Sequence, residues 1–196
     1  MSTDHNHEDD TAALVRAELI RCGAPRRHVL RGDLNRAGER FRWDETLGRA
    51  RDRCDGRGAI LALIGPRGTG KTQIAVEVLR AGAGARRALR YAAAMDVFLD
   101  VRATMSGRGR SEADAVADWC RPSLLVIDEI QERKGSGFEA GLLTHIIDRR
   151  YGAMRDTILV ANVEPADLAR LIGDSAASRI NETGGIIRCD WPSFRG

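Results

Sequence analysis

The 196-residue sequence predicts an α/β fold in which a parallel five-stranded sheet is flanked by helices. Three observations lead there. From residue 59 onward, short apolar runs alternate with amphipathic stretches of helical period. The run at residues 123–129 is apolar without a break until its end, as expected of a strand covered on both faces. Hydrophobic residues make up 43% of the chain and charged residues 30%, enough apolar material for one domain with a core and little for a second.

Taken in order, residues 1–10 are polar and acidic, which predicts a disordered tail and excludes a signal or transit peptide. No apolar run nears the roughly 18 residues of a membrane span, so a cytoplasmic location is expected. Residues 11–57 read as a short N-terminal helical extension. Ala13, Leu14, Ala17 and Ile20 recur at helical spacing, and Thr11 can cap the start. From Arg16 to Arg57 there are 12 arginines against 7 acids, a local net of +5. That stretch is either a solvated basic surface or a contact for nucleic acid or a partner. Residues 58–196 form the expected core. Its strands are predicted at 59–64, 88–94, 123–129, 157–162 and 185–190. Helices are predicted at 73–82, 95–105, 112–120, 138–152, 165–173 and 175–180, with a flexible loop at 106–111.

Overall charge is mild, with Lys+Arg 31 against Asp+Glu 28 for a net of +3. It neither demands nor forbids an anionic partner. Cys22, Cys54, Cys120 and Cys189 are scattered without a C-x-x-C pair, so reduced thiols are expected rather than a metal site or disulfide framework. Only Lys71 and Lys134 are lysine. Arginine does not substitute for a compact ammonium everywhere, which draws attention to Lys71.

Residues 65–72 read Gly65, Pro66, Arg67, Gly68, Thr69, Gly70, Lys71, Thr72, a full match to G-x-x-x-x-G-K-[ST]. Glycines let the backbone wrap a phosphate with successive N–H groups pointing inward, and the helix that follows adds its dipole. Lys71 would reach the β- and γ-phosphates of ATP, and the Thr72 hydroxyl would ligate Mg²⁺. The strand before the loop and the helix after it supply the context this motif requires. The second element, Leu124 to Glu129, is an apolar strand ending in two adjacent carboxylates. It predicts Asp128 holding magnesium through water and Glu129 polarising the attacking water as general base. A third polar residue, Asn162, closes the next strand. An asparagine there is either a turn former or an amide that orients water beside the γ-phosphate without adding charge.

With these motifs in place, residues 21–195 resemble the DnaC/IstB branch of AAA+ ATPases, nearest to the DnaC-type replicative helicase loaders. The resemblance rests on GPRGTGKT, LLVIDEI, HIIDRRYG, Asn162 in LVAN, and the closing CDWPSFR. The triplet at 148–150 and the W-x-S-[YF]-R pattern at 191–195 are the parts most specific to loaders. The resemblance implies a P-loop AAA+ core with a minimal or absent lid, since only Gly196 follows Arg195. It also implies that Arg179 is an arginine finger acting on a neighbouring subunit's nucleotide and that Arg195 is a sensor acting in cis. A planar cation suits both roles, because charge spreads over the γ-phosphoryl oxygens. Lys134, Ser136 and Phe138 match positions that bind single-stranded DNA in the family. Phe138 either stacks on a base or packs at the start of its helix. The chain departs from family loaders, which carry a longer N-terminal domain, in having only the short extension of residues 11–57 between the polar tail and the core.

The expected function is an ATP-hydrolysing protein that self-associates into an oligomer or filament, binds single-stranded DNA and assists loading or remodelling of a replicative helicase. The alternatives are a transposition helper of the IstB type acting on duplex DNA, and a non-hydrolysing nucleotide-dependent adaptor.

Overall fold

The computed structural model describes residues 3–31, 40–106, 109–132 and 137–194. Five strands lie in one parallel sheet: β1 Ile60–Ile64, β2 Leu89–Ala93, β3 Leu124–Asp128, β4 Asp156–Ala161 and β5 Gly185–Arg188. Their spatial order is β2-β3-β4-β1-β5. Nine α-helices are described: α1 Thr3–Arg21, α2 Arg26–Val29, α3 Arg40–Arg53, α4 Lys71–Gly84, α5 Ala94–Ala103, α6 Glu112–Cys120, α7 Gly137–Gly152, α8 Pro165–Ile172 and α9 Asp174–Thr183. Each strand and helix expected in the core is present, with ends shifted by a residue or a few.

Alternation along the strands divides the interior in two. Leu61, Leu63, Val126, Ile158 and Val160 face one side with Ile74 and Leu79 of α4. Leu19, Val29, Trp43, Leu47 and Ala50 of α1–α3 join that same cluster, so the N-terminal helices complete the core on this face. Ile60, Ala62, Ile64, Leu125, Ile127 and Leu159 face the other side, under α5 to α9. Burial of β1, β3 and β4 on both faces accounts for their unbroken apolar sequences.

Two local departures from the sequence reading are informative. Helix α1 starts at Thr3, so residues 3–10 are helical where a disordered tail is expected. Nothing between Thr3 and Arg21 is glycine or proline, and helix once nucleated at residues 11–20 can propagate backwards. Strand β3 stops at Asp128, one residue early, because Glu129 turns out of the sheet with φ 55°. Within the loop expected at 106–111, residues 107–108 lie outside the described set. Ser111 caps α6, its hydroxyl accepting from Asp114 N–H at 3.1 Å.

Candidate nucleotide site

Strand order builds the site. β4 lies between β1 and β3, so the carboxyl ends of three adjacent strands deliver Gly65, Asn162 and Asp128 in a row. Open α/β sheets bind ligands along this edge. A cleft of about 220 Å³ runs there, lined by Gly68, Gly70, Lys71, Thr72, Asp128, Glu129 and Asn162, with His28, Arg31 and Phe194 at its rim.

The loop between β1 and α4 owes its shape to its glycines. Gly70 sits at φ 83°, a left-handed conformation that costs glycine little, and immediately precedes α4. Lys71, only 4% exposed, donates from Nζ to the Gly65 carbonyl at 2.8 Å and the Pro66 carbonyl at 2.5 Å. Its ammonium therefore lies over the concave face of the loop. Across the cleft Thr72 Oγ1 donates to Asp128 Oδ2 at 2.8 Å. A hydroxyl and a carboxylate in contact are the hard oxygen pair that Mg²⁺ uses alongside waters and substrate phosphates, so the residues present fit that ion. Glu129 follows, exposed in the cleft wall, and its backbone N–H donates to Asp128 Oδ1 at 2.7 Å. The left-handed backbone of Glu129 is unusual for a non-glycine residue and swings its carboxylate out of the strand direction. Asn162, at the end of β4, has its backbone N–H held by Gln131 Oε1 at 3.0 Å.

Arg67 also borders the cleft, its guanidinium donating to Glu132 at 2.8 Å. The other predicted residues lie elsewhere. Arg179 is on α9, away from the cleft; it pairs with Asp148, donates to Ser175 Oγ at 2.6 Å, and lies 5.2 Å from the Tyr151 ring. Phe138 opens α7, half-buried against the core, with the Arg102 guanidinium 5.3 Å from its ring. Lys134, Ser136 and Arg195 lie outside the described residues.

Some contributors escape sequence reasoning. Tyr91, on edge strand β2, donates its hydroxyl to Asp128 Oδ2 at 2.7 Å. Burial, followed by the Asp128 charge, pushes the phenol pKa up, so it stays a protonated donor. His28 Nδ1 lies 2.8 Å from Gln73 Oε1, tying α2 to the first turn of α4. Trp191 and Phe194 reach the loop from the C-terminal segment. The one available signal was the WPSFR pattern; nothing marks Tyr91 until strand order is known.

A family model described as IstB-like ATP binding protein matches residues 56–180. The replicative helicase loader DnaC of Escherichia coli K12 is 26% identical over 142 residues, 72% of this chain and 58% of that protein. The chain thus spans little more than half the length of this curated relative. Among solved structures, a DnaC helicase loader superposes with a TM-score of 0.70 at 20% identity, covering 84% of this chain and 99% of that one. The replication initiator DnaA bound to AMPPCP and single-stranded DNA gives 0.66 at 19% identity, covering 82% of this chain and 49% of that one. These superpositions establish a shared P-loop AAA+ fold.

Proposed function

The chain belongs to the IstB-like ATP binding protein family, and on that footing we propose that it hydrolyses ATP with magnesium, binds single-stranded DNA and assists loading or remodelling of a replicative helicase. The observation that carries the proposal is the meeting of Thr72 and Asp128 at 2.8 Å beside Lys71, with Glu129 next in the chain. A site that only held nucleotide would need no carboxylate beyond the metal's. Glu129 supplies one, free of the Thr72–Asp128 pair and set in the cleft wall, where it can take a proton from water attacking the γ-phosphorus. Lys71 neutralises the β- and γ-phosphates, Asn162 orients the water, and the peptide N–H groups of 68–72 hold the phosphate oxygens. Arg179 completes the site of a neighbouring subunit, which makes hydrolysis depend on self-association. Arg195 is assigned the same task in cis. Lys134, Ser136 and Phe138 form the contact for single-stranded DNA.

The helicase partner is supported by the DnaC relatives, and the IstB-like family description favours a second reading, a helper that coats duplex DNA. One experiment separates them. Fluorescence anisotropy with labelled single-stranded and duplex oligonucleotides is run in ATP and in ADP, alongside phosphate release. Preference for the single strand, stronger in ATP and falling with salt, supports the loader. Preference for duplex selects the helper, and absence of phosphate release with or without DNA leaves the adaptor.

A further inference from the structure

Residues 189–194 leave β5 and cross the outer face of the phosphate loop, bonding to it at successive positions. Cys189 N–H donates to Ile64 O at 2.8 Å, Trp191 Nε1–H to Thr69 O at 3.0 Å, and Phe194 N–H to Gly68 O at 2.8 Å. Contact is close enough that a Cβ on Gly68 would stand 2.0 Å from Ser193 Oγ. Trp191 is 4% exposed and Phe194 8%. Outside them, Arg42 of α3 pairs with Asp190 and places its guanidinium 5.6 Å from the Trp191 ring.

The consequence follows from the planar trans peptide. A carbonyl and the next residue's N–H point in opposite directions across one rigid plane. Fixing Gly68 O and Thr69 O on the strap therefore turns the N–H groups of Thr69 and Gly70 toward the concave face, where phosphate oxygens are to be bound. Two consecutive planes are aimed by one segment. Without these bonds, a loop containing three glycines has many orientations available and must order itself when nucleotide arrives.

We propose that the 189–194 segment is a strap that preorganises the phosphate loop, with Trp191 as its positioning residue and Arg42 as the clamp on its outer side. The proposal rests on the reading of this site as one for nucleotide. Trp191 touches no substrate; it acts through the orientation of the Thr69–Gly70 peptide. Cation stacking and the ion pair at Arg42 restrict the indole to the rotamer that reaches Thr69.

The test is calorimetric titration of the full chain with magnesium and ATPγS, for wild type, Trp191→Phe and Arg42→Ala, with thermal melts in parallel. Phenylalanine keeps an aromatic ring while removing the N–H donor together with part of the indole's volume, and the melts report the packing that is lost. Its dissociation constant should rise about fivefold, the worth of one neutral hydrogen bond. Arg42→Ala lies on the half-exposed side, preserves the core and should give a rise of about twofold, the scale of a weak exposed interaction. A lowered melting temperature with unchanged affinity in Trp191→Phe would mean that the indole merely packs, and the proposal falls. Should that variant not fold, unchanged affinity in Arg42→Ala overturns the proposal equally. Wild-type protein that fails to bind ATPγS would bring down the nucleotide reading itself, and the strap's role with it.

Discussion

Arg150, the last residue of the triplet at 148–150, is fully buried, and Arg150→Met should lower stability far more than any change at its neighbours. The guanidinium donates to Thr157 Oγ1 at 2.8 Å and to the carbonyls of Cys120 at 3.1 Å, Pro122 at 2.8 Å and Asp156 at 2.5 Å. It therefore ties the C-terminal end of α6 to the starts of β3 and β4. Helix-end carbonyls lack partners within the helix and carry the negative pole of its dipole, so a cation is well placed there. Methionine keeps much of the stem and leaves those acceptors unpaired in the interior. Each unpaired acceptor costs about 1–3 kcal/mol. Relief from burying the charge offsets part of that; burial, foremost among the influences on it, and the neighbouring charges together bring the Arg150 pKa down to about 10, a cost of about 3 kcal/mol at neutral pH. The net loss should be about 3–5 kcal/mol, the usual scale for breaking a buried charged network. For a chain of this size each kcal/mol moves the midpoint by about 2–4 °C, so melting should fall by about 6–20 °C in a circular dichroism scan. Arg150→Lys should recover less than half of it, because one ammonium cannot span acceptors arranged for a planar fork. Arg149→Met, at the exposed neighbour, should stay within about 2 °C. A drop of less than about 3 °C in Arg150→Met would show that solvent or rearrangement satisfies those carbonyls and refute the reasoning.

The remaining predictions concern turnover and DNA. Glu129→Gln should retain ATP and block phosphate release, because Thr72 and Asp128 survive while the base is lost; unaltered hydrolysis would remove Glu129 from its role. Arg179→Ala should be inactive alone, yet regain part of the rate when mixed with Lys71→Ala protein, which still offers Arg179. No regain, with mixing verified by native mass spectrometry, would remove the trans role. Phe138→Ala should weaken single-stranded DNA binding by about 1–3 kcal/mol if the ring stacks on a base. Unchanged anisotropy with a lowered melting temperature would instead assign the ring to packing against Arg102 and the core.

What the sequence makes legible is what is local along the chain. The phosphate loop is eight consecutive residues, and the paired carboxylates end a strand whose apolar run announces it. Their meeting follows once β1, β4 and β3 are neighbours. Contributors that depend on strand order or on a distant segment were not legible. Tyr91 reaches Asp128 because edge strand β2 pairs with β3 in a register that sets Ala93 opposite Asp128. Trp191 reaches Thr69 across 122 positions of sequence. Helix α1 begins at Thr3 rather than near Thr11, because composition alone does not show that a polar segment continues an established helix.

The triplet at 148–150 shows why a motif can be visible while its work is not. Consecutive residues on an α-helix are rotated by about 100°, so three polar neighbours cannot share one face. In α7 they divide. Asp148 faces α9 and pairs with Arg179, Arg149 is exposed to solvent, and Arg150 enters the interior beneath α6. A pattern that resembles one functional unit therefore holds a structural cation and a carboxylate that positions the proposed finger. The same helix turn that fixes Arg150 against the sheet also fixes where Asp148 stands. The position of Arg179, the proposed finger, is thus tied to the core by a single rigid element. Substitution at Arg150 reaches the finger only through that element's stability, whereas substitution at Asp148 reaches it directly and leaves the buried network intact.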